Sequence, residues 1–322
     1  VGFSIERVFR DMRACLSGEF EYQNHSVMRK DVTLQTVVSN GLFARRNQGD
    51  INHVEGDIHY VVPFLDRQRT ILTVHDCRHL DQGLLQGLRK HIYQLLWFDI
   101  PCTFARRVVT ISQASKRRLL QHLNLDPGEI TVIPNCVPRG YTPAPKEFNC
   151  DAPRVLHVGT KANKNLFRVA KALRGITCHL RIIGRLHQNQ KDMLRRNAID
   201  YSNTFSISDQ EMLREYKECD IVMFPSLYEG FGMPILEGQA IGRPVITSDA
   251  PPMSEVARKG AVLVDPEDPK SIRAAVAKLI ARPSFRRQIV KQGIKNSERY
   301  SAHRIAKMYE EVYHEVLAAN SC

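Results

Sequence analysis

The sequence predicts an α/β protein built from two parallel-sheet domains, on three observations. Its 322 residues exceed one average domain. Short β-rich runs alternate with helical patterns along both halves, as in a parallel sheet covered by helices. Five prolines gather in residues 134–154, where neither a helix nor a central strand can continue, so an extended connection is expected between the halves.

Taken in order, the front half carries the strand-like runs DVTLQTVVS, DINHV, RTILTVHD, RRVVTIS and EITVIP, with helical stretches such as QASKRRLLQHL between them. The back half carries RVLHVGT, CHLRIIG, DIVMFPS, RPVITSD and AVLVD. Val155–Leu156, Leu180–Ile183 and Ile221–Phe224 are nearly continuous in apolar residues, as strands buried on both faces require. Ser208 with Glu211 makes a capping box, and Asp268 followed by Pro269 makes a cap and first turn. Ile305, Met308, Tyr309, Val312 and Val316 share one face of a final helix, which should pack on something already folded. The predicted division is 1–137, a linker 138–153, a second domain 154–300, and a terminal helix 301–322 returning toward the first domain.

Composition narrows the function classes. Apolar content of 43% and charged content of 25% describe an ordinary globular protein. No apolar run approaches the roughly 20 residues of a spanning helix, and VGFSIERVFRDM lacks the pattern of an export signal. Eight singly scattered cysteines, with no CxxC pair, read as reduced thiols of a cytoplasmic protein without a structural metal. The net charge of +12 favours anionic partners. However, FARRNQ, ASKRRLLQ and DMLRRNA lack interleaved aromatics and read first as solvated helix faces, so nucleic acid is not expected.

Ligands of open α/β sheets bind beyond the carboxyl ends of the strands, so the residues following each strand come next. After DIVMFPS, Gly230 and Gly232 permit a tight turn, and Pro234 suits the start of a helix whose amides would converge on an anion. Glu229 and Glu237 flank that turn and are placed to accept hydrogen bonds from hydroxyls beside a phosphate. The alternative is a helix start with N-terminal glutamates and no ligand, and spacing alone leaves both open.

SLYEGFGMPILEGQAIGRPVITSDAPPMSEV, followed by AVLVDPEDPKSI, resembles the donor-binding signature of glycosyltransferase family 4, the retaining enzymes of the GT-B fold. The resemblance implies two Rossmann-like domains facing across a cleft. In it Glu229 faces the donor sugar, Glu237 meets the ribose hydroxyls, and the amides of Gly230, Phe231, Gly232 and Met233 hold the diphosphate. VLHVGTKANKNL resembles the family's phosphate-clamping segment, which assigns Thr160, Lys161 and Lys164 to the donor and makes Lys164 the clamp. The family often has an arginine slightly before that lysine, where this chain has Lys161 and Asn163. ILTVHDCRHL resembles the histidine-containing strand end near the reaction centre, adding His75 and Asp76 to Glu229 and Lys164 as catalytic candidates. By residue type alone, His75 reads first as a structural histidine, and a metal site with Asp76 and His79 gains no support from ligand spacing. The family usually opens with a strand and a glycine-rich turn, whereas no strand precedes Gly2 here.

The implied activity is retaining transfer of a hexose from a nucleotide-diphosphate sugar to a hydroxyl of a glycan or lipid-linked acceptor. It is metal-independent and needs no further cofactor. The resemblance points toward bacterial mannosyl- and rhamnosyltransferases of surface polysaccharide synthesis. The basic surface would suit peripheral contact with an anionic membrane at its inner face. The rivals are an epimerase or hydrolase of the same fold, and a non-catalytic nucleotide-sugar binder. An oxidoreductase is disfavoured because no GxGxxG follows a strand.

Overall fold

The computed structural model describes residues 3–27, 33–81 and 87–319. The chain forms two compact units, one of residues 1–136 with 302–322 and the other of residues 137–301. Gly2 lies outside the described residues. No helix of the described residues is long and apolar enough to cross a membrane.

The first unit contains a sheet of β1 (Asn52–Val54), β2 (Thr70–Val74), β3 (Arg107–Thr110) and β4 (Ile130–Val132), paired in chain order and parallel throughout. Strand β2 is buried at every position. Its Leu72 and Val74 join Val54, Val108, Trp97, Phe98 and Leu119 in one core. DVTLQTVVS departs from its expected strand. Thr33 caps a helix, Leu34–Arg46, and residues 31–32 lie outside the described part. That helix docks on the turn His59–Phe64, where Asn40 donates to the Tyr60 hydroxyl at 3.0 Å. Gly41 lies so close under Phe64 that a Cβ there would come within 2.5 Å of the ring. Tertiary packing thus outweighs the β preference of Val37 and Val38.

The helix Ala302–Ala319 belongs to this unit and packs on the helix Phe3–Arg13. Ile305, Tyr309, Val312 and Val316 are buried and Met308 is half-buried. The Tyr309 ring centroid lies 5.8 Å from that of Phe9, and the Tyr313 hydroxyl lies 2.9 Å from His53 Nδ1.

The second unit holds β5 (Arg154–Val158), β6 (His179–Ile183), β7 (Tyr201–Thr204), β8 (Ile221–Phe224), β9 (Val245–Ser248) and β10 (Val262–Val264). All are parallel, in the spatial order β10-β9-β8-β5-β6-β7. The chain winds outward from β5 to β7, then crosses back to place β8 on the other side of β5. The sequence reading missed β7. It is a half-exposed edge strand paired only with β6, so it needs no apolar run. Val155, Leu180, Ile182, Ile221 and Met223 form one core with the helices Leu166–Leu173 and Pro269–Ala281. The capping box at Ser208 and the Asp268 cap both form. The proline-rich segment lies along this unit, with the Ala144 amide donating to Ile241 O and the Asn149 amide to Asp220.

Candidate functional site

The winding reverses between β5 and β8, and neighbouring strands that lead their connections to opposite sides leave a crevice at their carboxyl ends. Strand β5 runs out at Gly159, where φ is +95° and an added Cβ would meet the Lys164 side chain at 2.8 Å. Glycine therefore lets the lysine stem fold back over the strand end. A short turn, Ala162–Lys164, follows, and Asn165 takes the left-handed conformation with φ 64°. Its buried carboxamide donates to the carbonyls of Pro225 (3.0 Å) and Pro266 (2.6 Å), tying three strand-end loops together.

From this turn the Lys164 ammonium reaches Glu229 Oε1 at 2.6 Å and lies 4.8 Å from the centre of the Phe224 ring. Asn163 donates to the Tyr228 carbonyl at 2.9 Å and to the same Glu229 oxygen at 3.3 Å. The side chains of Lys164 and Glu229 are 20% and 14% exposed, so their charges meet where water screens them only in part. Below them, on β5, His157 donates from Nδ1 to the Met223 carbonyl at 3.2 Å. Burial, with the Lys164 ammonium adding to it, pushes the His157 pKa down to about 4, so the ring is neutral at pH 7. Among the described residues, Asn163 Oδ1 and Ser226 Oγ are buried without a hydrogen-bond partner.

The glycine turn completes this crevice. Gly230, Phe231 and Gly232 are buried and Met233 is half-buried. Gly232 has φ +113° and begins the helix Met233–Ile241 without any side-chain cap. With no cap side chain, the helix N-terminus presents its partial positive charge at this turn. The helix itself is buried on all sides, and Gly238 brings it onto the sheet. A Cβ there would stand 2.9 Å from both Val222 and Val245. Glu237 is 3% exposed and accepts a 2.6 Å hydrogen bond from the Tyr216 hydroxyl. The phenol is fully buried, and burial followed by the Glu237 charge raises its pKa well above the usual value. Thr160 turns aside, donating to the Arg185 carbonyl at 2.7 Å, and Lys161 is exposed.

In the first unit, His75 and Asp76 follow β2, beside the end of β1. His75 Nε2 lies 2.7 Å from the Glu55 carbonyl, which can only accept, so the proton sits on Nε2. Burial lowers the ring's pKa, and the neutral ring keeps its lone pair on Nδ1, which has no partner among the described residues. Asp76 accepts from the Arg78 amide at 3.0 Å. Glu55 pairs with Arg13 beside this histidine. Among the described residues, no group of three or more His, Cys, Asp or Glu is arranged to hold a metal ion.

Residues 142–296 match the family model for glycosyl transferases group 1, and residues 33–140 match that for glycosyltransferase family 4. The chain belongs to this glycosyltransferase family. It is 29% identical over 237 residues to the O-antigen chain mannosyltransferase RfbU of Salmonella typhimurium, covering 70% of the chain and 64% of that relative. It is 26% identical to the MMP alpha-(1->4)-mannosyltransferase of Mycolicibacterium hassiacum, over 66% of the chain and 54% of the relative. In each case the match spans less than two thirds of the relative's length. In fold, the chain is similar to the sucrose-phosphate synthase of Thermosynechococcus elongatus, with a TM-score of 0.74 and 18% identity, covering 89% of this chain and 78% of that one. It is likewise similar to Anabaena HepE in complex with UDP and glucose, with a TM-score of 0.73 and 16% identity, covering 87% and 82%. The fold is thus that of the GT-B glycosyltransferases, two parallel-sheet α/β domains.

Within this family member, the structure brings Lys164, Glu229 and the glycine turn to one crevice of the second unit. Thr160 and Lys161 lie on the loop after β5, and Glu237 sits behind the turn. Sequence reading named Asn163 only as a residue standing where the family often has an arginine, and overlooked Tyr216, His157 and Glu55. Only Asn163 had a local signal, its place within KANKN before Lys164. The others act through partners at least 20 residues away.

Proposed function

We propose that this chain is a retaining hexosyltransferase that moves a sugar, mannose by the names of its relatives, from a nucleotide-diphosphate donor to a hydroxyl of a glycan or lipid-linked acceptor. Its place would be surface polysaccharide synthesis at the cytoplasmic side of a membrane. One observation carries the reading: a lysine and a glutamate 2.6 Å apart stand where the winding of a parallel sheet reverses, in the crevice completed by an uncapped helix N-terminus.

The chemistry follows from those groups. Charge accumulates on the departing diphosphate as the sugar–phosphate bond breaks, and preorganised amides with an ammonium stabilise it most where water is partly excluded. Lys164 and the amides of Gly230 to Met233 take that role. An arriving phosphate competes with Glu229 for the ammonium, and the carboxylate can then accept hydrogen bonds from sugar hydroxyls. We assign Glu237 to the ribose hydroxyls and His75 with Asp76 to the sugar and acceptor hydroxyls. No step requires a divalent cation.

A thermal-shift screen over nucleotide sugars, followed by product analysis with and without acceptor, tests this reading. A mannose nucleotide should raise the melting temperature, and a glycosylated product with retained anomeric configuration should form only with acceptor present. Turnover of the donor without acceptor would instead identify an epimerase or hydrolase.

A further inference from the structure

At the amino ends of β8 and β9, the opposite end of the sheet from Lys164, the second unit carries a groove of about 470 Å³. Its size is that of a small-ligand pocket. Phe148, Ile241, Pro244, Val290 and Ile294 supply apolar walls. Around them stand five cations, Lys146, Arg243, Arg286, Arg287 and Lys291, against one carboxylate, Asp220. That carboxylate is already engaged by Lys146 and by the amides of Asn149 and Arg154.

Two features mark the excess charge as unusual. Arg243 is 5% exposed, and its guanidinium donates to carbonyls alone, those of Ala144, Ile241, Gly242 and Lys217. The helix terminus at Ile241 and Gly242 answers part of that charge, yet Arg243 Nε remains buried without a partner among the described residues. The helix Pro283–Ser297 bears Arg286, Arg287, Lys291 and Lys295 and no acidic residue. Arg287, Lys291 and Lys295 recur at four-residue spacing, where like charges repel, and Arg286 and Arg287 lie near the helix N-terminus, where cations are disfavoured. Arg287 and Lys291 are exposed beside the half-buried Val290 and Ile294. A basic helix with apolar residues at its edge is the chemistry that holds an anionic lipid surface.

We propose that this groove takes one acyl chain of an anionic membrane phospholipid against Phe148, Val290 and Ile294, with the lipid phosphate on Arg287 and Lys291. The second unit is then seated on the membrane by the end of its sheet away from Lys164. Lipid binding here needs no nucleotide, so it stands or fails separately from the sugar-transfer reading.

The test is flotation of the full chain with vesicles of phosphatidylglycerol in phosphatidylcholine, and with phosphatidylcholine alone. The chain should float with the former and not with the latter. Arg287→Glu with Lys291→Glu should weaken that binding by about tenfold or more while leaving nucleotide-induced thermal shifts unchanged. Val290→Gln, which keeps every charge, should abolish the part of the binding that resists high salt. Three results would overturn the proposal: wild-type chain that ignores phosphatidylglycerol, a charge-reversed chain that floats as well as wild type, and salt-resistant binding unaltered by Val290→Gln. The last would mean charge adsorption outside the groove. Sedimentation velocity adds a fourth: if the charge reversals dissociate a dimer without changing flotation, the groove binds a second copy instead.

Discussion

Lys164 and Glu229 illustrate how much a single contact can carry. Lys164→Ala should lower turnover by roughly 10²- to 10³-fold, the range for losing one preorganised donor at a developing anion. Steady-state rates beside calorimetric donor affinity would check this, with affinity changing far less than rate. Glu237 calls for a different variant. Because it holds the buried Tyr216 hydroxyl, Glu237→Ala would strand that hydroxyl and cost about 1–3 kcal/mol of stability, obscuring any binding effect. Glu237→Gln preserves an acceptor for Tyr216, and calorimetry on it should show weaker nucleotide binding in a chain that melts close to wild type. His157 gives a pH signature. Its folded pKa of about 4 lies below the ordinary 6.5, so between those values the unfolded chain binds the proton that the folded chain refuses. The His157 contribution to stability should be constant above pH 6.5, fall as pH drops toward 4, and level off below. The total is about 3 kcal/mol. Denaturant unfolding across that range should show a shallower fall in His157→Gln. At this scale the glycines and carboxylates of the turn were legible because they stand close together in the chain, whereas the partners of the two carboxylates do not. Tyr216 was hidden because it meets Glu237 across two helices 21 positions apart.

The helix Met233–Ile241 shows what an element needs in order to serve a site. Its amides point usefully only if the helix lies flat on β8 and β9, and the absent side chain at Gly238 permits that approach. Gly238→Ala should push the helix off Val222 and Val245, costing roughly 1–3 kcal/mol, with donor affinity falling in parallel. Thermal melting with and without a nucleotide sugar would register both effects. The elements that patterning disclosed were those with strong local chemistry: the apolar runs of β5, β6 and β8, the Ser208 capping box and the Asp268 cap. Among the elements that patterning did not disclose are β7 and the helix Leu34–Arg46. Strand β7 is half-exposed and polar, with Asn203 donating to the Ile182 and Gly184 carbonyls, so its strand state comes from pairing with β6. Leu34–Arg46 has β-branched residues near its start and becomes helical because the turn His59–Phe64 receives it.

For the molecule as a whole, the terminal helix belongs to the first unit although it follows the second in the chain. Truncation after Ser301 should strip the first unit of a face that buries Ile305, Tyr309, Val312 and Val316. At about 1.5–3 kcal/mol for each fully buried large side chain, the loss rivals the entire stability of an ordinary domain. Hydrogen exchange read by mass spectrometry should then show β1 to β4 losing protection while β5 to β10 keep theirs.

The two-domain α/β class, most strands and the glycine-bounded carboxylate pair could be read from the amino-acid order, because apolar runs, caps and turn residues exert their influence on near neighbours. The spatial order of the strands could not. It sets β5 beside β8 and so brings Lys164 to Glu229 across 65 residues of chain. Likewise, the basic groove draws on the proline-rich segment, the end of one helix and the side of another, which meet only once both faces of the sheet are covered. Such contacts arise from burying apolar surface in three dimensions, and no local pattern encodes where that burial will place a distant residue.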